Sequence, residues 1–323
     1  MPGNSLDLDL GRRLRAAPAT HPERGRPDHT GKRKSARHGQ QERRARWLFL
    51  APITVVLLLL TAIPFVYMVA ISLTDKSGQG HRTRFIGFEN YGSLLSDVQF
   101  WNAARVTAVI TVIAVAIELA LGLVVALALS RLRRNAMLRT LMLLPMAAAP
   151  VAVMFNWRVM LNASFGVVNY ILGHIGLPQP DWFGSQNLAI TSLILIDIWQ
   201  WTPFVIIVLA GGIAGLPNDL IESANTDGAG PFDTFRYIVL PYLAPYIVIA
   251  ALFRSIDTLK LFDSIQILTS GGPGSATTTI NYYIVQDTIH DLAFGKAAAA
   301  SILLVVVCVA LAKLLLRSLS RQA

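Results

Sequence analysis

A single cysteine, Cys308, is all the thiol chemistry available in 323 residues, and it sits inside an apolar run. One thiol excludes a disulfide framework and a cysteine-ligated metal site, and it leaves the redox compartment unread. Charge is scarce as well: Asp, Glu, Lys and Arg make up 15% of the chain, where soluble domains carry about a quarter. No Gly-x-x-x-x-Gly-Lys-Ser/Thr phrase occurs, and the cluster Gly271-Gly272-Pro273-Gly274 lacks the lysine that would hold a phosphate. The Gly-x-Ser-x-Gly elbow and the His/Glu metal spacings that a membrane-embedded enzyme would need are missing too. Repeats of solenoid length are absent, and so are matching halves with broken helices of the kind many secondary transporters carry. A secretory leader is not expected at the start of the chain. The first long apolar segment starts only at Trp47, with no small-residue cleavage site after it, and is expected to stay as an anchor.

What the chain has in quantity is apolar length. Hydrophobic residues make up 54% and the mean hydropathy is +0.52, the balance of a protein whose solvent is partly lipid. Spanning a hydrocarbon core by helix takes about 20 mostly apolar residues. Six segments qualify: 47–73, 104–130, 137–161, 188–215, 241–261 and 296–316. Lipid offers no partner to unpaired backbone groups, so these segments are expected as helices, giving an all-α, polytopic membrane bundle over 47–317. The third contains Pro145 and Pro150, each without an amide hydrogen, and is expected to kink or break.

Basic residues order the ends. Residues 1–46 hold twelve Lys/Arg against five Asp/Glu, most of the chain's net charge of +9. A basic tail can bind nucleic acid, but this one abuts the first apolar run, and it reads as a disordered cytoplasmic arm near anionic lipid. With the tail inside, the same side receives Arg131, Arg133, Arg134 and Arg139, then Arg236, then Lys313, Arg317 and Arg321, whereas the opposite side receives Lys76, Arg82 and Arg84 and no Lys or Arg in 163–187 or 262–295. Lys/Arg excess marks the cytoplasmic side. Both termini, including the short end 318–323, are therefore expected inside a bacterial cytoplasmic membrane.

Segment 216–241 is the most informative stretch. Pro217 suits a helix start, with Asp219 and Glu222 favourable near that terminus. Gly228 and Gly230 then end the helix and Pro231 opens another. Phe232, Phe235 and Ile238 form an apolar stripe that suits either a partner's groove or the bundle's own underside.

The run Glu222-Ser223-Ala224, then Asp227-Gly228-Ala229, then Ile238-Val239-Leu240-Pro241 resembles the cytoplasmic-loop signature of binding-protein-dependent ABC importer permeases, with Ser223 where the family has Ala. Phe85-Ile86-Gly87-Phe88-Glu89-Asn90-Tyr91, Phe165-Gly166-Val167-Val168-Asn169, Leu268-Thr269-Ser270-Gly271-Gly272-Pro273 with Ala276-Thr277-Thr278-Thr279 behind it, and Phe294-Gly295-Lys296-Ala297-Ala298-Ala299 are similar to phrases of the maltose and glycerol-phosphate permease first-subunit group. The resemblance runs from about residue 47 to 316.

It implies a transport subunit rather than an enzyme, working with a second permease, two ATPase subunits and an extracytoplasmic substrate-binding protein. ATP and magnesium would be bound by the ATPase, with no cofactor on this chain and no nucleic-acid partner. It also implies that 216–241 is a coupling helix docking on the ATPase. Glu222 would make the contact and Gly228 the turn, with Ser223, Ala224, Asp227 and Ala229 in the loop and Phe232, Phe235 and Arg236 at or near the docking surface. The implied solute is a sugar, polyol or related carbohydrate; an anionic sugar derivative, or another polar solute of the same superfamily such as an amino acid, is the alternative.

Ionisable groups within spans are costly and usually face the bundle interior or a water-filled cavity. Asp257, Lys260 and Asp263 follow each other at three-residue spacing around the fifth span, with Arg254 just before. Asp257 is expected to pair with Lys260, either as a structural ion pair or as part of a hydroxyl-binding site; the resemblance points to this helix as part of the sugar path. Asp197, Trp199, Gln200 and Trp201 in the fourth span, and Asn156 and Trp157 in the third, combine rings for a sugar's apolar face with groups for its hydroxyls. Trp is equally at home in helix packing and at interfaces. Glu118, in the second span, reads as a structural group needing a partner.

Overall fold

The computed structural model describes residues 29–78, 80, 83–131, 136–289 and 291–320. The expectations resting on residues 1–28, Arg82, Arg133, Arg134 and Arg321 lie outside them. The chain divides into two compact units, Met1–Ile63 and Pro64–Ala323.

In chain order the helices are α1 (His29–Ser72), α2 (Glu89–Ser96), α3 (Val98–Arg131), α4 (Ala136–Ala147), α5 (Pro150–Met160), α6 (Val167–His174), α7 (Gln186–Ala214), α8 (Asn218–Thr226), α9 (Pro231–Thr234), α10 (Leu240–Leu259), α11 (Asp263–Leu268), α12 (Ile280–Ile289) and α13 (Phe294–Ser320). A single antiparallel bridge, Thr74 to Phe85, is the extent of β pairing among the described residues. The fold is all-α.

The described part of the first unit is the start of α1. That helix begins at His29, inside the segment read as a disordered arm. From Leu50 its large apolar side chains are exposed, Leu60 at 69%, which in water would be untenable and in lipid costs nothing.

Five helices are long and apolar enough to cross a membrane: Leu50–Ser72, Val98–Ser130, Gln186–Ala214, Pro231–Leu259 and Phe294–Ser318. The sixth expected span is the pair Leu141–Ala147 and Pro150–Met160, which meet at 103°. Its break falls at the proline that opens α5. A proline inside a helix removes one backbone bond and crowds the carbonyl four residues back, which favours a break at Pro150, whereas Pro145 stays inside α4. The protein is a polytopic membrane helix bundle.

Within the second unit, α3 and α7 are the central pair. Gly122 makes their approach possible: a Cβ built on it would lie 2.5 Å from Val205 Cγ1. Small residues at such crossings are how membrane helices gain close packing without a hydrophobic driving force. Ala126, Leu129, Val205, Ile206, Leu209 and Ala250 form the core at one end of this pair, and a second core lies around Ile110, Met154, Leu193 and Ile265. A π-helical turn, Phe235–Val239, joins α9 to α10 immediately before Pro241. The wider turn takes up the missing amide and the bulk of the proline ring.

Outside the spans, Asp97 ties α2 and α3 to the far end of the chain. It accepts from Tyr283 Oη at 2.7 Å and from Lys296 Nζ at 2.8 Å. Partial burial alone would raise its pKa, but these two bonds and the Gln99 amide outweigh that and hold it at about 2.

Candidate functional site

Two charged regions stand apart from the apolar remainder. The first is the connection between α7 and α10. Helix α8 ends in a Schellman turn: the Ala229 amide donates to the Ala224 carbonyl at 2.9 Å and the Gly228 amide to the Asn225 carbonyl at 3.2 Å. Gly228 supplies the left-handed residue this turn needs, at φ +79°, with open space around its missing Cβ. Gly230 then precedes α9, which Pro231 opens.

This geometry sends α8 away from the core. Ala224 alone is buried on α8; Asp219, Glu222, Ser223, Asp227 and Gly228 are exposed, and Ala229 is half-buried. Phe232 is 68% exposed. Phe235 is half-buried, and the exposed Arg236 lies with its guanidinium 5.8 Å from the Tyr237 ring centre. Among the described residues the carboxylates of this connection form no ion pair, because its one arginine is turned to a ring.

The second region is buried. Arg254 of α10, 1% exposed, sits where three spans converge. Its Nε donates to Glu118 Oε2 at 2.7 Å and its Nη2 to Glu118 Oε1 at 2.9 Å. The same Nη2 donates to Asp197 Oδ2 at 2.8 Å, and Nη1 to Asp257 Oδ2 at 2.6 Å. The Trp201 ring centre lies 5.0 Å from the guanidinium. A planar fork with several donors suits such a hub, where a lysine's single nitrogen would not.

Asp257 therefore pairs with Arg254, and the expected pairing with Lys260 is corrected. Along α10 the i+3 partner one turn earlier shares its face equally well, and Arg254 is the cation that the carboxylates of α3 and α7 already hold in place. Asp197 and Gln200, 5% and 1% exposed, are inside the bundle, and Glu118 is fully buried as the arginine's partner.

Asp257 is the member of the hub that reaches the surface, its side chain half exposed. From it an exposed polar row continues through Lys260, Asp263, Gln266 and Ser270. On α7, Trp199 is 44% exposed and meets Trp157 of α5 edge to face at 5.3 Å. The bend between α4 and α5 carries Trp157 to this position. Asn156 is exposed, but its amide donates to its own helix at Ala152.

Two residues escaped the sequence reading. Gln266 extends the row, and its three-residue spacing from Asp263 was the available signal. Arg158 is exposed on α5 and reaches the Ile267 carbonyl through Nη1 at 2.6 Å; a lone cation in an apolar run was its signal.

The family described as binding-protein-dependent transport system inner membrane component matches residues 118–322. A probable ABC transporter permease protein of Sinorhizobium fredii is 38% identical over 278 residues, 85% of this chain and 90% of that protein. The trehalose/maltose transport system permease MalF of Thermococcus litoralis is 35% identical, covering 81% and 89%. The sulfoquinovosyl glycerol transport system permease SmoG of Agrobacterium fabrum is 36% identical, covering 81% and 86%. Among solved structures, a chain of a bacterial ABC transporter involved in import of the acidic polysaccharide alginate shares the fold, with a TM-score of 0.75 at 23% identity over 88% of this chain and 99% of that one. With the family match spanning both the buried hub and the α8 connection, this chain belongs to the binding-protein-dependent transport system inner membrane components.

Proposed function

We propose that this chain is a transmembrane permease subunit of an ATP-binding-cassette importer that brings a sugar, polyol or related carbohydrate into the cytoplasm. The observation that carries the reading is the α8 connection: a short helix, closed by a Schellman turn at Gly228, that leaves its acidic side chains exposed and, among the described residues, without an ion pair, followed by the exposed Phe232. An acidic, partly apolar knob of this kind suits a cleft on a partner. The Lys/Arg bias of the sequence puts it on the cytoplasmic side, where an ATPase would meet it. Phe232, Phe235 and Arg236 then continue the contact towards α10.

In this mechanism ATP and magnesium stay on the partner. Closure of the ATPase pair moves α8, and the π turn passes that movement into α10 and the half-exposed Asp257. Transport is then a switch between two packings of the bundle, biased by differential binding at the ATPase face. The exposed polar side chains from Asp257 to Ser270 offer partners for hydroxyl groups, and the exposed Trp199 of α7 offers an aromatic face, the pair of features a sugar uses. A second permease and an extracytoplasmic binding protein complete the assembly.

The test is reconstitution with the binding protein, second permease and ATPase encoded alongside, measuring uptake and ATP hydrolysis together. Uptake by the purified chain with no ATPase would overturn the proposal. A second reading, an anionic sugar derivative, is favoured by two exposed cations, Arg158 of α5 and Lys260 of the polar row. Melting of the binding protein with trehalose against sulfoquinovosyl glycerol separates the two.

A further inference from the structure

Asp197 and Glu118 are spans apart in sequence and too buried to meet a solute, yet both end on one guanidinium. Glu118 grips the Nε edge of Arg254 with both oxygens, and Asp197 takes the remaining position on Nη2. A guanidinium is planar and rigid, so holding Nε and Nη2 from two helices also fixes where Nη1 points. Nη1 points at Asp257 Oδ2, 2.6 Å away. Trp201 covers one face of the plane. Asp257 is thus anchored by one oxygen at the buried end while half of its side chain stays exposed.

We propose that Glu118 and Asp197 are positioning residues: acting through Arg254, they hold Asp257 in a single orientation so that it presents a fixed acceptor to a hydroxyl group of the solute. This rests on the reading of Asp257 as part of the solute path and adds to it the two buried carboxylates on which its geometry depends. A fixed acceptor binds without first losing rotamer freedom, which is why the supporting shell matters to affinity. It also assigns Asp197 a different part from that of a direct solute contact.

Coupling between mutations tests it in the reconstituted transporter, using whichever of trehalose, maltose or sulfoquinovosyl glycerol raises the binding protein's melting temperature. D257A is expected to raise the KM for uptake about tenfold, the loss of one hydrogen bond involving a charged group. E118Q and D197N are expected to raise KM severalfold, by more than they lower kcat, and to add nothing in a D257A background. E118D, which keeps a carboxylate, should recover part of the loss. If D257A leaves KM unchanged, the solute-path reading fails and takes this inference with it. If D257A raises KM but E118Q acts equally in both backgrounds, the positioning role alone fails.

A readout independent of solute is the Asp257 carboxylate stretch, isolated as the infrared difference between the wild-type chain and D257N. It should broaden or move in E118Q and in D197N; an unmoved band overturns the inference. Where E118Q does not accumulate, D197N and R254K carry the same measurement, since lysine keeps the charge but loses the fork.

Discussion

The Arg254 hub and the α8 connection are both charge-rich stretches in a charge-poor protein, and they use charge in opposite ways. At the hub three carboxylates surround one guanidinium, with Glu118 and Arg254 sealed from solvent. On α8 the carboxylates of Asp219, Glu222 and Asp227 stand in the open. Burying an ion is so costly that a partner must be present in the same fold, whereas an exposed ion is solvated and can wait for a partner that arrives later. Burial therefore marks the groups that hold this chain together, and exposure marks those available to another molecule.

The sharpest way to break the contrast is to remove the arginine. Arg254→Leu leaves three carboxylates facing each other without a cation, and such a loss costs about 3–5 kcal/mol. The expected result is a chain that fails to accumulate, or melts far below wild type in detergent by fluorescence-monitored unfolding. A normal melting curve would mean that the hub is not what joins α3, α7 and α10.

Gly228→Val is the counterpart at the exposed end. A β-branched residue at φ +79° is strained by about 1–2 kcal/mol, locally and far from the core. Insertion and melting should stay near wild type, while solute-dependent ATP hydrolysis in the reconstituted transporter falls to background. Full uptake by this variant would remove α8 from the coupling role.

Glu222→Ala should be milder. Loss of one rim charge is expected to weaken association with the ATPase a few fold, chiefly through the association rate and most clearly at low salt. Surface-immobilised binding at two salt concentrations would detect it. Equal affinity at both would mean that α8 docks through Phe232 and its apolar neighbours.

The smallest effect belongs to Asp97, which lies between these extremes, partly exposed yet tied to Lys296 and Tyr283. Its folded pKa, about 2, is below the ordinary 3.8. A depressed carboxylate stabilises the fold above its unfolded value and loses that contribution as pH falls from 3.8 towards 2. Asp97→Asn should therefore lower the melting temperature slightly at neutral pH, and the gap to wild type should close across that acid window. A gap that stayed constant with pH would assign the effect to packing.

How far each region could be read in advance follows from the same contrast. The α8 connection is local: Pro217, Gly228, Gly230 and Pro231 lie within one stretch, and each acts on its own backbone, so helix, turn and helix were legible. The break in the third span was legible for the same reason, from Pro150, whereas Pro145, expected to act in the same way, lies inside α4. The hub was legible only as a list of awkward residues. Glu118 and Arg254 are 136 positions apart, and no periodicity within α3 or α10 says which face of one meets which face of the other. Spacing within α10 allowed either Lys260 or Arg254 as the partner of Asp257, and the carboxylates arriving from α3 and α7 made it Arg254.

Apolar length and proline and glycine placement thus determined by themselves that this chain is a polytopic helical membrane protein with a helix–turn–helix connection between two spans, because each of those acts over a few residues of backbone or against the lipid. Which charges became scaffold and which stayed available was decided only by the tertiary structure. A buried ion's cost depends on what three separate helices bring within hydrogen-bonding distance of it, and that is fixed only when they pack.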